Sequence, residues 1–177
     1  MTKVINFFGG PGTGKSTTRA KMFYEMKIAG YSVEEVTEYA KDMVWEERAN
    51  MFQDQLYMLA KQNRKLLRLK DKVDFILTDS PILLNIIYMV MNGYETSLNQ
   101  LIKDVFNSYN NINIVLNRTH EYQELGRNQN EQEADILSIN IKQLLTSLGV
   151  QFIECDSDKL NFVTLQSLII ASNEAYE

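Results

Sequence analysis

Residues Asn6 to Thr18 read NFFGGPGTGKSTT, with glycines at 9, 10, 12 and 14 running directly into Lys15 and Ser16. The stretch follows the apolar run Lys3–Phe8 and precedes a helical pattern. Glycine adopts backbone conformations closed to other residues, so this spacing lets the chain curl until successive N–H groups face inward. A helix starting near Lys15 adds the positive end of its dipole. Strand, Gly-x-x-x-x-Gly-Lys-Ser loop and helix together form the phosphate-binding P-loop pattern, whereas a merely tight glycine turn requires neither the lysine nor the serine.

The chemistry expected of the loop is that of a nucleoside triphosphate with Mg²⁺, most simply ATP, although the loop does not identify the base. Gly9, Gly10, Pro11, Gly12, Thr13 and Gly14 supply the cradle. Lys15 reaches the β and γ phosphates, Ser16 gives its hydroxyl to the metal, and Thr17 stands near the α-phosphate.

At 177 residues the chain suits one well-buried core, and residues 1–177 are read as a single domain. Short apolar runs alternate with 3.6-period segments. The fold expected is an α/β P-loop three-layer sandwich, a central five-stranded parallel sheet with helices on both faces. Strands are placed at Lys3–Phe8, Ser32–Thr37, Val73–Thr78, Asn113–Leu116 and Gln151–Glu154. A helix from about Met51 to Leu69 carries Phe52, Leu56, Leu59, Ala60, Leu66 and Leu67 on one stripe, with Asn63 inside it and Gln55 and Gln62 along one edge. A second, from about Glu131 to Leu148, buries Ala134, Leu137, Ile141, Leu144, Leu145 and Leu148 before Gly149.

A net charge of −5 and a pI near 5.0 argue against a protein that coats nucleic acid. The densest basic stretch, Lys61, Arg64, Lys65, Arg68, Lys70 and Lys72, falls on a helix and reads first as a solvated face. Cys155 is the sole cysteine, which fits a reducing compartment. With no export signal and no apolar run near the roughly 20 residues that span a bilayer, the cytoplasm is expected, the host's if the source is viral.

The companions of the loop decide where the phosphate goes. GTPase base recognition asks for Asn-Lys-x-Asp after a late strand, where this chain has Asn117-Arg118-Thr119-His120. An AAA-type motor asks for a helical lid domain and sensor elements, for which the length leaves no room. Small kinases ask for an acid near the acceptor hydroxyl, a carboxylate at the metal and an arginine-bearing lid. Glu38, in Thr37-Glu38-Tyr39-Ala40-Lys41 after the second strand, is the candidate base, with a dipole-stabilised helix start as the plain alternative.

Asp79, in Ile76-Leu77-Thr78-Asp79-Ser80-Pro81, is the candidate magnesium carboxylate, or shares in activating the acceptor, with Ser80 as N-cap and Pro81 at N1. A purely capping role is its alternative. Arg118 and Arg127 bracket a glycine within a polar segment at about 117–131 that suits a mobile lid, though either arginine can pair with nearby glutamates instead. An acceptor ring would be sandwiched by aromatics and read by amides, for which Tyr39, Trp45, Tyr57, Gln55 and Gln62 are available.

With GGPGTGKST, TEYAK, TDSP and the arginine-glycine-arginine lid in view, the sequence resembles the small P-loop ATPase/kinase family that includes the nicotinamide riboside kinase domains, especially its short phage versions. It is distantly similar to deoxynucleoside and thymidylate kinases. That likeness implies roles for Glu38, Trp45 and Gln55 or Gln62. It departs after the third strand, where deoxynucleoside kinases carry Glu-Arg-Ser and this chain has Thr78-Asp79-Ser80. The resemblance implies an ATP-dependent kinase of a nucleoside, nucleotide or nicotinamide riboside-like acceptor. The alternatives are a kinase of hydroxymethylated bases in phage DNA, which the acidic balance disfavours, and a nucleotide-dependent switch. No membrane partner is expected, and the oligomeric state is open, a homodimer included.

Overall fold

A computed structural model describes residues 1–39, 46, 54–91, 93, 98–123 and 129–167. Its elements follow in chain order: β1 (Lys3–Phe8), α1 (Lys15–Ile28), β2 (Val33–Val36), α2 (Gln55–Leu67), β3 (Phe75–Thr78), α3 (Leu84–Met91), α4 (Asn99–Asn107), β4 (Asn110–Asn117), α5 (Glu131–Ser147) and β5 (Ile153–Asp156). The five strands form one sheet in the order β2-β3-β1-β4-β5, every neighbouring pair parallel. The expected strands are all present, shifted at their ends by up to three residues.

β1 lies in the middle of the sheet and is apolar on both faces, as a strand covered by helices on each side must be. Val4 and Phe8 point into a core shared with Ile76, Val115 and residues of α2 to α5, among them Leu59, Ile86, Ile102 and Leu137. Ile5 and Phe7 point the other way, onto Leu77, Ile112, Ile114, Met22 and Met26 of α1, and Leu160 and Leu165. The result is the three-layer α/β P-loop sandwich. No helix among the described residues is long and apolar enough to cross a membrane.

Two sequence expectations are corrected. Helix α2 is rotated from the expected stripe: Gln55, Met58, Leu59, Gln62 and Leu66 face inward, while Leu56, Ala60 and Leu67 are exposed. Counting apolar residues misplaces the face because the inward amide of Gln62 has a partner waiting, the Ser80 carbonyl at 2.9 Å. The helix also begins at Gln55, where Asp54 caps it by accepting from the Tyr57 amide at 3.0 Å; Phe52 lies outside the described residues. Pro81, expected at N1, instead opens a turn, and α3 starts at Leu84, whose amide donates to the Pro81 carbonyl. Asn63 finds its partner in Tyr109, whose hydroxyl donates to Asn63 Oδ1 at 2.6 Å.

A cluster of asparagines sits deep in the sheet. Asn6 Nδ2 donates to Asn111 Oδ1 at 2.9 Å and to Asn113 Oδ1 at 3.0 Å, and those two asparagines spend their own amides on backbone carbonyls. Satisfied in this way the cluster binds β1 to β4; broken, it strands two acceptors. Asn6→Leu, which keeps the bulk, is expected to cost about 2 kcal/mol, read as a lower urea midpoint at unchanged slope.

Candidate active site

All strands run the same way, so the loops that follow them gather at one rim. Register places Val36 of β2 level with Thr78 of β3, and Thr78 level with Asn6 of β1. Glu38, Asp79 and the glycine loop therefore leave the sheet side by side. The chain builds β3 on one side of β1 and β4 on the other, and ligands of open α/β sheets occupy the crevice at such a reversal.

Gly14 caps α1 in the left-handed conformation, φ 85°, with no side chain closing the helix end. A helix start of this kind presents its first-turn N–H groups to an anion. The Lys15 ammonium is wrapped by the loop, donating to the Gly9 and Gly10 carbonyls at 2.7 and 2.8 Å. Thr13 is buried and bonds the Gly10 carbonyl at 3.0 Å, while Ser16 and Thr17 are exposed.

Helix α5 presses on the loop from behind. Ser138 Oγ accepts from the Gly10 amide at 3.1 Å and donates to the Ala134 carbonyl at 3.0 Å. A Cβ on Gly10 would overlap Ser138 Oγ and stand 2.5 Å from that carbonyl. Glycine is required here by close approach, because its φ is not positive.

Asp79, 4% exposed, does not face the crevice alone. Arg19 of α1 gives Nη1 to Asp79 Oδ1 at 2.7 Å and Nε to Glu35 Oε1 at 2.9 Å. Nothing in the local sequence announces this pairing, since Arg19 is four residues past Lys15 on an ordinary-looking helix.

On the β2 side, burial and, second, the charge of the Glu38 carboxylate push the Tyr88 phenol well above its usual range. Tyr39 and Tyr57 meet edge to face with centroids 5.9 Å apart and hydroxyls at 3.3 Å. Gln62 gives its amide to Ser80 O, while its Oε1 is the one fully buried side-chain oxygen or nitrogen without a partner among the described residues. Gln55 is buried as well. Trp45 and Arg127 lie outside the described residues.

Arg118 is held by Glu131 at 3.0 Å and Asp135 at 2.7 Å, both on α5, and stacks over Tyr122 with its guanidinium carbon 5.2 Å from the ring centre. It is thus paired with acids rather than turned onto the loop. His120, for which the motifs call for no role, comes close to Gly14 together with Ser157. The loops after β4 and β5 are joined there, Ser157 N donating to Asn117 O at 3.2 Å. Hydrogen bonds from Lys159 and then Asn117 hold Asp156 below the usual carboxylate range.

A five-stranded parallel sheet with this cradle after β1 defines the α/β P-loop NTPase fold. The chain belongs to the family described as an AAA domain, whose model matches residues 4–161. What matches is the segment that builds the sheet and its loops. The solved structures it resembles include deoxyadenosine kinase from M. mycoides with products dCMP and a flexible dCDP bound, at 20% identity over 97% of this chain and 99% of that one, TM-score 0.54. The same kinase with bound dATP is 23% identical over 96% and 98%, TM-score 0.53, and with bound dCTP 21% over 97% and 99%, TM-score 0.52. These likenesses concern the fold. No curated protein matches the sequence.

The contact behind the loop yields a direct expectation. Gly10→Ala must push α5 away and is expected to destabilise by about 1–3 kcal/mol, as overpacking does. Adding Ser138→Ala should recover only part of the loss in thermal unfolding, because the Ala134 carbonyl remains in the way.

Proposed function

We propose that the protein is an ATP-dependent phosphotransferase acting on a small nucleoside, nucleotide or nicotinamide riboside-like acceptor. The observation that carries this reading is the shared rim, where the lysine-bearing glycine loop, Glu38 and Asp79 leave three adjacent parallel strands. A module that only held phosphate would have no use for two acids beside it.

The donor set suits Mg²⁺. Ser16 offers an exposed hydroxyl and Asp79 an oxygen with no hydrogen bond among the described residues, hard ligands few enough to leave places for phosphate and water. Bound there, the ion would neutralise charge on the triphosphate. The loop amides and Lys15 bind and orient the tail so that the γ-phosphorus faces the acceptor. Glu38 takes the proton of the acceptor hydroxyl as its oxygen bonds the phosphorus and the bond to the bridging oxygen of the leaving diphosphate breaks. Arg118 and Arg127, in a lid at about 117–131, would complete the charge around the transferring group.

For the acceptor, Tyr39 and Tyr57 offer ring faces with Trp45 close in sequence, and Gln55 and Gln62 offer amides. With its nitrogen committed to the Ser80 carbonyl, Gln62 has only an acceptor left, which favours a base edge bearing an N–H donor. A DNA acceptor is supported less. Of the basic stretch, Lys61 lies over the Tyr57 ring, Lys70 bonds the Ser108 carbonyl and Lys65 bonds the Thr37 carbonyl, so much of it is spent locally.

The test uses γ-labelled ATP with a panel of nucleosides, deoxynucleoside monophosphates, nicotinamide riboside and DNA containing hydroxymethyluracil. Label is expected on a small acceptor. Label on DNA alone would favour the polymer kinase, and release only as free phosphate across the panel would favour the switch. Glu38→Gln is expected to lower transfer by about 10²–10⁴-fold with triphosphate affinity near that of the parent; full activity in that variant removes Glu38 as the base.

A further inference from the structure

Among the charged groups at the rim, Arg19 is the one that neither the glycine loop nor the kinase comparison calls for. It sits four residues after Lys15 and three after Ser16, so α1 presents all three on neighbouring positions of its first two turns. Its guanidinium is held at both ends, Nε by Glu35 of β2 at 2.9 Å and Nη1 by Asp79 at 2.7 Å. Two contacts on different nitrogens of a planar fork leave it no freedom to turn.

The asymmetry at Asp79 is informative. Arg19 engages Oδ1 alone, and Oδ2 makes no hydrogen bond among the described residues. Stability alone explains such an ion pair poorly, since a buried pair is often no more stabilising than apolar side chains of the same volume. A device that fixes the direction of one carboxylate oxygen fits better.

We infer that Arg19 is a positioning residue: anchored by Glu35, it holds Asp79 through Oδ1 and aims Oδ2 at the metal–triphosphate side of the crevice. This rests on the phosphotransferase reading above. It also divides labour between the two acids, leaving proton transfer to Glu38. Lysine cannot replace Arg19 fully, because one ammonium on a flexible stem does not hold two carboxylates in a fixed plane.

The experiment compares Arg19→Met, Arg19→Lys and Glu35→Gln with the parent protein. For each, kcat and KM for ATP are measured, together with the Mg²⁺ concentration that half-maximally raises Tm in the presence of a non-hydrolysable ATP analogue. Affinity for that analogue is measured separately in EDTA. Arg19→Met is expected to lower kcat roughly 10- to 100-fold and to raise the Mg²⁺ midpoint roughly tenfold. Its metal-free analogue affinity should stay within about threefold of the parent's, since the loop that binds the tail is intact. Arg19→Lys should restore part of both losses, and Glu35→Gln, which keeps the Asp79 contact, should fall between Arg19→Lys and the parent.

Should Arg19→Met not fold, the Glu35→Gln shift in Mg²⁺ midpoint decides. An unchanged midpoint in every folded variant overturns the inference, and so does a loss of metal-free affinity equal to the loss of kcat, which marks a structural role. If the parent transfers no phosphate, the phosphotransferase reading fails by itself, while the midpoint still reports whether Arg19 aims Asp79.

Discussion

Parallel pairing is the constraint on which the rest of the molecule depends. Because β1 to β4 all deliver their carboxyl ends to one rim, groups tens of residues apart in sequence become neighbours without any dedicated contact between their loops. The glycine loop, Glu38, Asp79 and Arg118 share an address for that reason alone. An antiparallel strand in place of β3 would send Asp79 to the opposite end of the sheet.

The same rim has to tolerate its own charge. Lys15 is wrapped by carbonyls, Asp79 is matched by Arg19, and Arg118 by two acids of α5. Buried or half-buried charges persist only when paired or hydrogen-bonded. The pairings also differ in kind. Arg19 is largely enclosed and holds a carboxylate that is itself buried, whereas Arg118 holds two carboxylates more than half exposed, at 59% and 57%. Screening by water makes the second set the weaker one. Of the two arginines, Arg118 is the one more weakly held.

What could be read from the chain divides along physical lines. β1 and its loop were legible because an apolar run, a glycine spacing and a lysine-serine pair are all local. Asp79 was legible because an unbroken apolar run delivers it to a strand end. The inward face of α2 was not, since it depends on Ser80 reaching Gln62 from another element, and hydrophobic periodicity carries no record of that bond. Arg19 and Ser138 were missed for the same reason: both look like ordinary helix residues until the fold brings Asp79 to one and Gly10 to the other. Backbone approach is equally silent in sequence, so Gly10 reads as one more flexible glycine when it is in truth a point of contact.

Helix α5 links these observations. Glu131, Asp135, Ser138 and Lys142 are spaced four, three and four residues apart, which places them on one face. That face meets Arg118 with its first two members, the Gly10 amide with the third, and Asn117 Oδ1 with Lys142 at 3.0 Å. The capping box formed by Asn130 and Glu133 fixes where the helix begins, and hence the register of the whole stripe. A single rigid element therefore touches the back of the phosphate cradle, the end of β4 and Arg118 just beyond it. On the phosphotransferase reading, Arg118 leaves Glu131 and Asp135 only when phosphate oxygens replace them. The two acids released remain on the helix that braces the cradle, so lid closure and the seating of the triphosphate act on the same surface.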